Sequence, residues 1–284
     1  MIGLIAHAHL TPAASAAVIQ LLQENPIDPA LNRFCKDRPS DLMADSATWA
    51  DDMRSAGKPG EWHYIDIPLA VADGDWKEWC KPAGVKDAPD CLPEAAARYL
   101  GILQDKTQPA ASRAEALRYT IHFFSDMTQP LHTEDNHDQG GNCDPVTVPY
   151  QERTVNLHSL WDSGLLGDEM KRTQLTEAQF AAAIDTEAGF DAHRQQGVDI
   201  TSWVWESHKL ARDVVYGNLT PQIPVAPSSA GAADKDACDA DRAKITALHV
   251  TIGQQYTDAA LPVMHAQIAR AAYRIADVLN QTFQ

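Results

Sequence analysis

The stretch Ser112-Arg-Ala-Glu-Ala-Leu-Arg-Tyr-Thr-Ile-His-Phe-Phe-Ser-Asp126, closed by Met127-Thr-Gln-Pro-Leu-His132, decides how the chain is read. Ser112 followed by Glu115 has the form of a capping box. Leu117, Ile121 and Phe124 recur behind it at helical spacing, and Pro130 closes the segment. His122 and Asp126 are four residues apart and so share one helix face. Ile121, Phe123 and Phe124 surround them, which places two polar side chains near an apolar face. Unpaired buried polar groups are costly, so both need partners. A metal ion is one solution; mutual hydrogen bonding is the other.

The pattern repeats outward. His158 and Asp162 are again four apart, in Asn156-Leu-His-Ser-Leu-Trp-Asp162, and His132 follows Pro130-Leu131. Upstream, Asp51 lies in Thr48-Trp-Ala-Asp-Asp-Met-Arg54 and His63 in Trp62-His-Tyr-Ile-Asp66. Imidazole and carboxylate donors without thiolates suit Zn²⁺ and leave other divalent metals open. Any one such pair is more often a surface contact than a ligand pair; the weight lies in the set.

Helical signals dominate the remainder. Thr11-Pro12 reads as an N-cap followed by proline at the first helical position. Thr176 to Gln179 is a second capping box, and residues 201–216 and 260–281 read as helices, the latter with Pro262 near its start. His63 to Leu69 and Val146 to Tyr150 alternate briefly and can pair as short strands. Residues 217–240, rich in Pro, Ser and Ala, read as one long loop. The expectation is an all-α chain, a single mainly helical domain over 1–284 with long loops and a short β-hairpin.

The 284 residues carry 23 Lys+Arg against 39 Asp+Glu, a formal charge of −16. That balance argues against gripping a polyphosphate through a basic surface. Bound divalent cations, focused in one cleft, are the way around it. The apolar start, Met1 to Ala6, is far shorter than the roughly 20 residues of a membrane span and lacks the features of a signal peptide. Five cysteines occur with no CxxC, so a cysteine zinc site is not expected. Cys80 and Cys91 are close enough to staple a loop; Cys35, Cys143 and Cys238 also fall in loop-like contexts.

Taken together, these strings make the chain resemble the S1/P1 nuclease family of zinc-dependent, mainly helical enzymes with a phospholipase C/P1 nuclease-like fold. Ala114-Glu-Ala-Leu-Arg118, Gly140-Gly-Asn142 and Gln267-Ile-Ala-Arg-Ala-Ala-Tyr-Arg-Ile-Ala276 complete the match, in family order across nearly the whole length. The resemblance implies three zinc ions. Asp51, His63, His122 and Asp126 would hold the first, and His132, His158 and Asp162 the second, with Asp126 bridging to the third. It implies that Asp51 orients the attacking water and Arg54 meets the phosphoryl oxygens. Tyr64 would stack a base while Asp66 and Asn142 read base edges. The implied activity is hydrolysis of single-stranded DNA or RNA to 5′-phosphorylated products, with 3′-nucleotidase action, in a secreted or periplasmic protein. No protein partner is implied, and the absence of a basic amphipathic helix speaks against membrane binding.

The start departs from the family pattern. Ile2-Gly-Leu-Ile-Ala6 looks like the segment just after a Trp-Gly-x-x-Gly-His start whose Trp and His complete the third zinc site. An upstream segment beyond the recorded start is the favoured explanation, and a two-zinc variant the other. The chain as written is then expected to be impaired. His7 and His9 are read as ordinary helix positions rather than replacement ligands, and Trp203, Trp205 and His208 as packing. A zinc phospholipase C and a non-catalytic metal-binding remnant stand as the alternative functions.

Overall fold

The computed structural model describes residues 1–31, 41–81, 90–148, 153–189, 197–219, 222–229 and 235–284. It is an all-α assembly: α1 (Ile2–Ala8), α2 (Pro12–Glu24), α3 (Leu42–Ser55), α4 (Leu92–Gln104) and α5 (Ala110–Asp126) precede a two-stranded antiparallel sheet, β1 (Pro145–Val148) and β2 (Arg153–Asn156). A single turn, α6 (Leu157–Ser159), runs through a π-helical turn (Leu160–Gly164) into α7 (Leu165–Thr173). Then come α8 (Glu177–Ala188), α9 (Ile200–Leu210), α10 (Lys235–Leu248) and the long α11 (Gln254–Thr282). Among the described residues, no helix is long and apolar enough to cross a membrane.

The caps explain several boundaries. Thr11 accepts a hydrogen bond from the Ala14 amide, as an N-cap before proline should. Thr176 and Gln179 form the expected reciprocal capping box of α8. Ser112 does not cap α5: the helix begins at Ala110, and Ser112 lies inside its first turn. Pro262 lies well inside α11 rather than near its start, forfeiting the bond to the Asp258 carbonyl. The loop expected over 217–240 is shorter, because α10 takes up its end.

α5 is the central element. Its neighbours α4, α3 and α11 enclose it, so that Leu117, Tyr119, Ile121, Phe123 and Phe124 are buried. Tyr119 stacks on Phe123 with ring centroids 5.1 Å apart, and Tyr99, Trp62 and Trp49 pack edge-on or tilted around Tyr119. This aromatic floor lies directly behind His122. A fully buried Phe stabilises by about 1.5–3 kcal/mol, so α5 is held rigidly where its two polar residues emerge.

The extended segments find partners other than one another. Val146 of β1 pairs with Val155 of β2. Residues 63–69 run beside 132–135 instead: the Ile65 amide donates to the His132 carbonyl at 2.9 Å and the Asp135 amide to the Ile67 carbonyl at 2.9 Å. Disulfides join Cys80 to Cys91, as the spacing suggested, and Cys143 to Cys238, which ties the loop after His132 to α10. Cys35 and residues 149–150 lie outside the described residues.

α1 approaches α3 so closely that only glycine fits between them. A Cβ on Gly3 would stand 2.8 Å from the Ala44 Cα and 2.9 Å from the Met43 carbonyl oxygen. Gly3→Ala is therefore expected to destabilise by ~1–3 kcal/mol. That lowers the melting temperature by roughly 3–10 °C. An unchanged melting temperature would show that the two helices are not packed this way.

Candidate metal centre

Four elements converge on Asp126, the last residue of α5. From α5 itself comes His122, one turn earlier; its Nε2 lies 3.0 Å from Asp126 Oδ2. His63, at the end of a 3₁₀ turn (Gly60–His63), places Nδ1 3.0 Å from the same oxygen and 2.9 Å from His122 Nε2. Asp51 on α3 approaches both rings, with Oδ1 3.8 Å from His63 and 3.9 Å from His122. His132 stands on the other side, its Nδ1 3.7 Å from Asp126 Oδ1.

A second group adjoins the first. Asp162 reaches both remaining histidines: Oδ1 is 3.3 Å from His132 Nε2, and Oδ2 is 3.3 Å from His158 Nε2. The rings of His132 and His158 stack at 5.0 Å. Four tetrahedral ligands about 2.0–2.1 Å from one zinc stand roughly 3.3 Å from each other. The donor set and its spacing therefore fit such an ion.

The outward nitrogens are fixed by backbone carbonyls. His122 Nδ1 donates to the Ala47 carbonyl (2.6 Å), His132 Nδ1 to the His63 carbonyl (2.7 Å) and His158 Nδ1 to the Gly140 carbonyl (2.7 Å). In the neutral ring each such bond leaves Nε2 as the lone-pair nitrogen facing the centre. Local sequence makes this reach feasible. Gly140 and Gly141 adopt φ of +61° and +75°, and a Cβ on Gly140 would stand 2.6 Å from the Leu131 carbonyl oxygen. The π-helical turn at Leu160–Gly164 carries Asp162, a local widening often found at functional sites.

Electrostatics show what this convergence demands. Asp126 is 9 % exposed and His122 5 %. Burial alone would push the Asp126 carboxyl up; the facing charges of His122 and His132 outweigh it and hold the group well below the usual carboxylate range. Burial would lower His122 and His132, but the carboxylates of Asp126, Asp51 and Asp162 raise them to about 9. His63 is lowered, chiefly by burial. Asp162 lies on the cavity wall with its side chain 40 % open to solvent, and the desolvation it does suffer is outweighed by the bonds to His132 and His158, which hold it well below its ordinary value.

Among the described residues, three groups of His, Cys, Asp or Glu bring donor atoms within 4.8 Å of one another. Two are Asp51–His63–His122 and His132–His158–Asp162; the third, Cys80–Cys91–Glu94, has both thiols in a disulfide. His7 and His9 point elsewhere, bonded to Asp41 with Ser15 and to Asp185 respectively.

Both histidine–carboxylate groups open on a cavity of about 1130 Å³, with Arg54 and Lys58 on its wall. Arg54, exposed at the end of α3, projects over Gly60. Tyr64 follows His63 directly and is 36 % exposed. Burial first, then the charge of Asp66, pushes its phenol up to about 12. Asp66 is half-buried, and burial together with Asp135 pushes its carboxyl up to about 7. Asn142 is set apart: its amide donates to the Gln139 carbonyl at 2.8 Å and its Oδ1 accepts from Asn156. Trp203 and His208 are buried packing residues, the latter bonded to the Thr133 and Val71 carbonyls. Gln129, which no spacing pattern singled out, donates to Asp162 Oδ1 at 2.6 Å.

A sequence profile of the family described as S1/P1 Nuclease matches residues 1–284. The chain belongs to the S1/P1 nuclease family. Nuclease P1 of Penicillium citrinum is 28 % identical over 263 residues, covering 85 % of each chain. Nuclease S1 of Aspergillus oryzae is 29 % identical over 266 residues, 87 % of this chain and 83 % of that one. Endonuclease 2 of Arabidopsis thaliana is 25 % identical over 285 residues, 98 % of this chain and 87 % of the relative. As an S1/P1 family member the chain is a nuclease, a hydrolase whose substrates are nucleic acids.

The glycine at the turn gives a direct check on the geometry. Gly140→Ala puts a side chain at positive φ and against the Leu131 carbonyl. It is expected to cost ~1–3 kcal/mol and to release His158 Nδ1 from the Gly140 carbonyl. Loss of the downfield His158 Nδ1–H resonance with a lower melting temperature is the expected result; a retained resonance would contradict it.

Proposed function

We propose that the chain is a zinc-dependent phosphodiesterase that hydrolyses single-stranded DNA or RNA to 5′-phosphorylated products and removes 3′-phosphates from nucleotides at the same site. The observation that carries this reading is the pair of adjacent histidine–carboxylate groups opening on one cavity, in a chain of the S1/P1 nuclease family. Asp51, His63, His122 and Asp126 would hold one ion and His132, His158 and Asp162 a second, with Asp126 also offering a side chain to the third ion that the family resemblance implies. Bound zinc supplies Lewis-acid stabilisation of phosphoryl oxygens and a low pKa for water.

The side chains do the rest. Asp51, the most accessible carboxylate of its group, orients the attacking water and accepts its proton. The Arg54 guanidinium meets two non-bridging oxygens as a planar fork and stabilises the charge that develops on them. Tyr64 stacks one base, a contact that any base satisfies. Asp66 bonds a base edge, and Asn142 does so by exchanging its contacts to Gln139 and Asn156 for the base. A base must leave its stack to be read this way, which selects single strands. The two disulfides suit an oxidising compartment, as expected of a secreted or periplasmic enzyme.

Hydrolysis of single-stranded DNA, lost with a chelator and restored by zinc, is the primary test. Turnover unaffected by exhaustive chelation would refute the reading. Arg54→Ala should lower kcat by about 10²-fold, and Arg54→Lys should recover only part of it, because an ammonium cannot bridge two oxygens. With one or two phosphates engaged, log KM should change with log salt by a slope of about 1. A slope several times steeper would indicate an extended basic footprint.

Base contacts give a separate check. Tyr64→Ala should raise KM about 5- to 150-fold with little change in kcat, the equivalent of roughly 1–3 kcal/mol of stacking. The Asp66 carboxyl, pushed up to about 7, is neutral below that pH and anionic above it. The anion is the better acceptor for a base N–H, so KM should fall as pH rises from 6 to 8. Asp66→Asn should flatten that dependence.

A further inference from the structure

Gln129 makes two bonds with one carboxamide. Its Oε1 accepts from the Leu131 amide at 2.6 Å and caps the short turn Pro130–His132 that presents His132. Its Nε2 donates to Asp162 Oδ1 at 2.6 Å. One side chain therefore joins the turn that carries His132 to the carboxylate that faces both His132 and His158. The mount is rigid. Ser207 Oγ donates to the Met127 carbonyl at 2.6 Å, and Gln267 Nε2 donates to the Thr128 carbonyl at 2.7 Å. Both bonds are buried and come from α9 and α11.

Asp162 needs such a partner. Its side chain is 40 % exposed, on the π-helical turn. The two histidines meet different oxygens of its carboxylate. Without a third contact, rotation of that carboxylate would break both approaches. Both atoms of the Gln129 amide are needed. Glutamate in its place keeps an acceptor for Leu131 N–H but sets a like charge against Asp162. Alanine removes both bonds.

We propose that Gln129 is the positioning residue of the outer metal group, fixing the Asp162 carboxylate against the His132 turn so that His132, His158 and Asp162 converge before any ion arrives. The inference rests on the reading of those three residues as zinc ligands. Outer partners of metal ligands typically change metal affinity about 10–100-fold, and an effect in that range is expected here.

The test is zinc titration against a chromophoric chelator, with the full chain, Gln129→Glu, Gln129→Ala and His158→Ala. The parent curve minus the His158→Ala curve identifies the outer site. Gln129→Glu and Gln129→Ala should weaken that site about 10–100-fold and leave the inner site within twofold. Gln129→Glu should keep the metal-free melting temperature near the parent's, because the cap on Leu131 persists. Outer-site affinity unchanged in both Gln129 variants, against a parent that binds there, overturns the proposal alone. A parent with no zinc at the outer site overturns the ligand reading beneath it. Equal weakening of both sites overturns the proposal too, since it indicates general loosening rather than positioning.

Discussion

The architecture turns on a buried carboxylate in an unfavourable place. Asp126 ends α5, where the helix dipole is negative, and it is nearly removed from water. Taking a carboxylate out of water costs several kcal/mol unless cations or donors compensate. His63 and His122 lie at 3.0 Å from one oxygen of that carboxylate, and His132 lies near the other. Those rings bring their own difficulty, since two imidazole nitrogens 2.9 Å apart cannot both direct lone pairs at each other without a proton or a metal between them. The cluster is consequently stable only with positive charge at its centre. Protons on His122 and His132, both raised to about 9 by the facing carboxylates, would meet that need, and so would a divalent cation.

Much of the remaining fold supports that arrangement. The aromatic floor of Tyr119, Phe123, Tyr99 and Trp62 keeps α5 from retreating. The close contact at Gly3 presses α1 on α3 and so sets the position of Asp51. Segment 63–69 bonds to 132–135 along the backbone, and the His63 carbonyl accepts from His132 Nδ1, so the two histidines are tied together. The Cys143–Cys238 link holds the far end of the same loop, near the glycines that orient His158. On the proposed reading, divalent cations held in this one cavity would let an acidic chain take an anionic substrate without a basic face.

What was legible in the amino-acid order was what depends on local spacing. His122 with Asp126 and His158 with Asp162 lie four apart, and both pairs do meet. Thr11 and Thr176 cap as their neighbours imply, and Cys80 pairs with Cys91 across a short loop. What escaped depends on contacts distant in sequence. Residues 63–69 show the alternation of a strand but not that their partner is the His132 loop. Cys143 and Cys238 are 95 residues apart, a separation that carries no distance information. Ser112 and Glu115 have the form of a cap, yet the helix gains another half-turn ahead of them. Gln129 looks like an ordinary residue before proline, and only the fold brings Asp162 to its amide.

The central question is whether the two histidine–carboxylate groups hold metal. Anomalous diffraction from zinc-loaded crystals, recorded on either side of the zinc absorption edge, answers it directly. Two strong peaks are predicted, one among Asp51, His63, His122 and Asp126, and one among His132, His158 and Asp162. No peak at either position, or zinc bound only elsewhere on the surface, would contradict the assignment.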